Sequence, residues 1–104
     1  MAAIQRAGIP VVPNSSRVRG TIASVAPDPS GTGRILNLTV DAADDDGASP
    51  NFARSYVGQT IHVYVPPSAS LDLATRDRVE ARVTYRGDEH GGSFALMGGD
   101  ARKL

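Results

Sequence analysis

Apolar and polar residues alternate strictly from Arg78 to Tyr85. Val79, Ala81, Val83 and Tyr85 fall on one side; Arg78, Glu80, Arg82 and Thr84 fall on the other. A period of two marks a half-buried strand, because successive side chains leave a pleated backbone on opposite faces. The polar run Arg86-Gly87-Asp88-Glu89-His90-Gly91-Gly92 follows, and its three glycines let the chain reverse. Alternation then resumes with Phe94 and Leu96 on one face. The stretch 78–97 therefore predicts a β-hairpin with a charged tip.

The same pattern predicts three earlier strands. In Arg17 to Val25, Val18, Gly20 and Ile22 share a face, and Gly20 marks a bulge or a tight bend. Pro27-Asp28-Pro29-Ser30-Gly31-Thr32-Gly33 is a turn. In Arg34 to Asp41, Leu36, Leu38 and Val40 oppose Ile35, Asn37, Thr39 and Asp41. In Thr60 to Val65, Ile61, Val63 and Val65 oppose Thr60, His62 and Tyr64, and Pro66-Pro67 ends the strand. The expected interior is Val18, Ile22, Leu36, Leu38, Val40, Ile61, Val63, Val79, Val83, Phe94 and Leu96.

Between the strands, residues 1–16 read as a flexible N-terminal arm rich in Ala, Pro and Ser. Residues 42–50, centred on Asp44-Asp45-Asp46-Gly47, read as a solvated loop. Asn51 to Gly58 is an irregular link carrying Phe52 and Tyr56. Ser68 to Asp77 holds one helical turn at most, with Ser70 as its cap, and 98–104 reads as a polar tail.

The chain so described is an all-β domain over residues 17–97. A Gly-containing first strand, a second strand, an irregular link, a third strand, a short connection and a closing hairpin together resemble the OB-fold, a five-stranded Greek-key barrel. Gly20, Asp77-Arg78-Val79, Gly87-Asp88-Glu89 and Gly91-Gly92 carry the resemblance. The helix that usually joins the third and fourth strands of that fold is reduced or absent here. Five strands also fit an SH3-like barrel.

Composition narrows the function classes. The 104 residues contain no Cys, which excludes disulfide and thiolate chemistry. Eleven basic and eleven acidic residues cancel, so the molecule as a whole is no electrostatic magnet for nucleic acid or membrane. No apolar run approaches the ~20 residues of a membrane helix, and Met1 to Ser16 holds no signal-peptide core. These features predict a cytoplasmic protein without membrane insertion; an excised, exported domain is the alternative.

No cofactor, metal or catalytic residue is expected. His62 and His90 are the only imidazoles, too few for a zinc site without carboxylates. Asp41, Asp44, Asp45, Asp46 and Asn51 lack the alternate spacing of a calcium loop. No elbow motif places a nucleophile, so the sequence predicts a non-enzymatic binding module. The OB resemblance implies a ligand over the second and third strands, flanked by the first and last hairpin loops. By position that selects Arg34, Asn37, Thr39, His62 and Tyr64, with Arg86 and His90 from the hairpin tip. Arg19 and Arg82 are further phosphate candidates on outward faces. Arg suits phosphates, and His and Tyr offer flat faces to bases, so single-stranded DNA or RNA is the first expected partner. The bland alternative is an ordinary solvated sheet face. The rival function is a protein-interaction or assembly domain that uses edge strands and the arm.

Overall fold

The computed structural model describes residues 13–29, 33–67, 69, 72–88 and 91–104, with only the backbone described at 87, 88, 91 and 92. Five strands form: β1 (Ser16–Pro27), β2 (Arg34–Asp45), β3 (Thr60–Val65), β4 (Arg78–Asp88) and β5 (Gly91–Lys103). A short 3-10 helix, Phe52–Tyr56, lies between β2 and β3. The strands close into a barrel in the order β1-β2-β3-β5-β4, every pairing antiparallel except β3 with β5. This is the strand order of an OB-like barrel. No α-helix joins β3 to β4 among the described residues, and Ser70 and Leu71 of the expected turn lie outside them.

Inside–outside alternation builds the core. All eleven residues expected inside are buried, joined by Val65, Ala81, and Ala53 of the 3-10 helix. Ala69 and Leu73, from the β3–β4 connection, also enter the core. Phe52, Tyr56, Tyr85 and Phe94 form an aromatic cluster, with Tyr85 and Phe94 edge-to-face at 5.2 Å and Tyr56 and Phe94 at 5.4 Å.

β1 runs long enough to pair with β2 on one side and, up to Thr21, with β4 on the other. Gly20 sits at a register shift, where the backbones of β1 and β2 approach so closely that a Cβ would overlap the Thr39 carbonyl oxygen. The glycine predicted from the strand pattern as a bend is therefore required by contact.

Three segments differ from the sequence reading. Residues 42–45, expected in a loop, extend β2 and pair with Ser16 to Arg19. The acidic run conceals a strand because Asp44 meets Arg19 of β1 and Asp45 meets Arg54 of the 3-10 helix. Residues 98–103, expected as a tail, belong to β5 and return to β4 at Ala81↔Ala101 and Val79↔Lys103. Residues 97–100 bulge out opposite Arg82, between the pairs Val83↔Leu96 and Ala81↔Ala101.

The third difference is the end of the arm. Residues 1–12 lie outside the described residues, but Asn14, Ser15 and Ser16 are buried and bonded. The Asn14 side chain accepts from the Tyr85 N–H at 2.7 Å and donates to the Tyr85 carbonyl at 3.1 Å. It thus continues the β1–β4 ladder with an amide side chain in place of backbone. Ser15 Oγ donates to the Asp46 carboxylate, and Ser16 Oγ donates to Asn51 Oδ1 at 2.6 Å. Asn14→Ala should strip both Tyr85 groups of these partners and cost about 1–3 kcal/mol of stability. A urea midpoint equal to that of the wild type would show that the latch contributes nothing.

Candidate functional site

The register aligns outward side chains into rows that cross the barrel perpendicular to the strands. One row is mostly apolar: Thr84 (β4) pairs with Ala95 (β5), Ala95 with Tyr64 (β3), Tyr64 with Ile35 (β2), and Ile35 with Ala26 (β1). Strands stand ≈ 4.8 Å apart, so five of them carry a row of roughly 19 Å. Ala95 is buried and Ala26 is small, so the half-buried Ile35 and Tyr64 are the broad features of the row.

Tyr64 is held in place by the turn before β2. A Cβ at Gly33 would lie 2.9 Å from the Tyr64 ring and 3.0 Å from its hydroxyl, and would overlap the Val65 carbonyl. Gly33 also has φ 74°, a conformation that favours glycine. The ring therefore rests against bare backbone, which orients it without sealing it: Tyr64 remains half-buried.

A polar row runs beside the first. Ser24 (β1) pairs with Asn37 (β2), and Asn37 with His62 (β3). Ser93 (β5) precedes Phe94, the partner of Val63, as His62 precedes Val63, and Ser93 pairs with Arg86 (β4). His62, Ser93 and Arg86 are exposed. Asn37 Nδ2 donates to Ser24 Oγ at 2.6 Å. Beyond them the hydroxyls of Thr39 and Thr60 meet at 3.1 Å.

The structure thus brings Asn37, Thr39, His62 and Tyr64 onto one face, with Arg34 where the first turn enters β2 and Arg86 on the β4 side. His90 lies outside the described residues. Sequence reasoning missed Ile35, Ser24, Ser93 and Ala95. Ile35 was legible as an outward apolar residue on a strand, the one signal that could have found it. The others became visible only through pairing.

Arg19 and Arg82 are not brought to this face. They lie in a belt of ion pairs on the lower halves of β1 and β4. Arg82 Nε donates to Asp46 at 2.7 Å and approaches Asp100 at 3.9 Å. Arg17 reaches the same two carboxylates at 3.9 and 4.0 Å. Arg19 bonds Glu80 and Asp44, each at 3.3 Å, and Arg102 bonds Glu80 at 2.8 Å. Arg78–Asp41 at 3.1 Å and Lys103–Asp77 at 3.3 Å extend the belt. Asp46 is held below the usual carboxylate range by the Ser15 hydroxyl first and by Arg82 next. Burial opposes ionisation of Glu80, but its contacts with Arg102 and Arg19 outweigh that and lower its pKa too. These arginines already serve carboxylates, so a phosphate would have to displace those partners.

Phe52 and Tyr56 of the link pack with Tyr85 and Phe94 and so add no ring to the face that carries Tyr64. Among the described residues no cluster of three or more His, Cys, Asp or Glu could hold a metal ion, and no helix is long and apolar enough to cross a membrane. No family model matches the chain, and neither the curated proteins nor the solved structures include a significant match.

Proposed function

We propose that the domain is a non-enzymatic binding module that takes single-stranded nucleic acid across the β2–β3 face. The observation that supports this most is the barrel order β1-β2-β3-β5-β4, which lays an apolar row and a polar row side by side across the strands. An extended strand crossing that face sets bases on Tyr64 and Ile35 and turns their edges toward Asn37 and His62. Arg34 and Arg86 flank the face and reach phosphates at either side.

The expected affinity is modest. A base stacked on an aromatic ring is worth ~1–3 kcal/mol, and among the described residues the face offers only the Tyr64 ring and the smaller His62 imidazole. A titration with mixed-sequence single strands at two salt concentrations, followed by amide shifts of β2 and β3, tests the reading. Tyr64→Ala should weaken binding about tenfold with little change in salt dependence, because stacking releases no counterions. Arg86→Ala should flatten the slope of log affinity against log salt by about 0.7. Unmoved β2 and β3 amides at millimolar strand would refute the reading.

A second reading, partner capture by strand addition, acts where a described strand segment is paired on one side only, as at the end of β1. Barrel closure occupies most strand edges, but the register pairs of β1 with β4 stop at Thr21, so Ser24 to Pro27 pair with β2 alone. On that reading a partner protein shifts the amides of Ser24 to Pro27 and leaves His62 and Tyr64 unmoved.

A further inference from the structure

Asn37 is poorly suited to its position if only the fold is considered. It sits in β2, between β1 and β3, where Asn is disfavoured and a β-branched residue fits better. Its Nδ2 is used by Ser24, while its Oδ1 is buried and meets no hydrogen-bond donor among the described residues. A buried acceptor left in that state destabilises a protein. A donor brought to Oδ1 would therefore gain a hydrogen bond that no described residue of the barrel supplies.

We propose that Asn37 is the specificity-determining residue of that face and reads a nucleobase bearing an amino group. The assignment rests on the nucleic-acid reading above and names the chemistry it selects. The Ser24 hydroxyl accepts from Nδ2 and so fixes Oδ1 as the end of the amide left to accept a donor. The outward neighbour of Asn37 across the ladder is His62, which is exposed, so its ring can swing aside without disturbing the core. The exocyclic amine of cytosine then donates to Oδ1 while the base lies against the Tyr64–Ile35 row. Thymine carries a carbonyl oxygen at the same place and would set acceptor against acceptor.

The test compares equal-length oligo(dC) and oligo(dT) on the full chain at neutral pH, with urea unfolding of the same samples. One well-made hydrogen bond predicts a preference for oligo(dC) of roughly fivefold. Asn37→Val should bind both strands alike and unfold at a urea midpoint no lower than the wild type. Ser24→Ala should lose most of the preference for oligo(dC), because the amide is then free to turn. A lower midpoint for Asn37→Val, which would make Asn37 a structural residue, overturns the proposal, as does a preference that survives the substitution. Equal binding of both strands by the wild type overturns the assignment alone. Binding of neither overturns the nucleic-acid reading and the assignment with it.

Discussion

Gly20→Ala should destabilise the barrel by about 3 kcal/mol, at the upper end of the usual cost of overpacking. The added Cβ would overlap the Thr39 carbonyl oxygen, with the Thr39 carbonyl carbon at 3.0 Å. Neither can yield as a side-chain tip would, because the β1–β2 ladder fixes both backbones. Domains of this kind are stable by only ~5–15 kcal/mol, so the loss is a large fraction of the whole. Gly20→Val, with two more methyl groups at the same point, should fail to give a cooperative transition. The measurement is a urea denaturation curve. A wild-type midpoint for Gly20→Ala would mean that β1 and β2 do not approach as described.

Leu38→Ala carries the second large effect, about 2–5 kcal/mol, the range for truncating a buried Leu. Leu38 is 1% exposed and its cross-strand partners Ile22 and Ile61 are buried core residues. Its neighbour Thr39 points outward and bonds Thr60 across the surface. Thr39→Ala should cost well under half as much. The order of the two values is the decisive reading, since a slip of one residue in β2 would exchange the faces of every residue in the strand. If Thr39→Ala proves the worse of the pair, the register is wrong, and the ligand face with it.

The contrast between Leu38 and Thr39 also shows what the sequence makes legible. Alternation is a local signal, so Leu36-Asn37-Leu38-Thr39-Val40 and the run from Val79 to Tyr85 could be read directly into strands with an inside and an outside. Charge hides strands from that reading. Asp44 and Asp45 look like loop residues until Arg19 and Arg54 are found opposite them, at 3.3 and 2.8 Å. Gly98-Gly99-Asp100 looks like a tail because the bulge interrupts the alternation just before Ala101 rejoins β4.

The candidate site divides in the same way. Tyr64, His62, Asn37 and Thr39 could be placed on one face from period and strand order alone. The diversion of Arg19 and Arg82 could not, because their carboxylate partners, Asp44, Glu80, Asp46 and Asp100, lie on other strands and loops far along the chain. Asn14 was hidden for another reason. A Pro- and Ser-flanked Asn reads as flexible unless its amide is known to reach a strand edge.

The position of β5 between β3 and β4 has a consequence for how the molecule comes to exist. Four strands precede β5 in synthesis, yet without it β4 has only β1 as a neighbour and β3 has only β2. The nascent chain therefore presents an open, curved sheet whose apolar interior has no lid until residues 91–103 have left the ribosome. Pairing β1 with β4 spans roughly sixty residues of chain, so the ends must find each other across a long loop, which slows folding. During that interval two strand edges are exposed to other chains. The outward charges of Arg78, Glu80 and Arg82 on β4, one of those two edges, read above as partners in the finished barrel, then act earlier as guards against aggregation in the unfinished one.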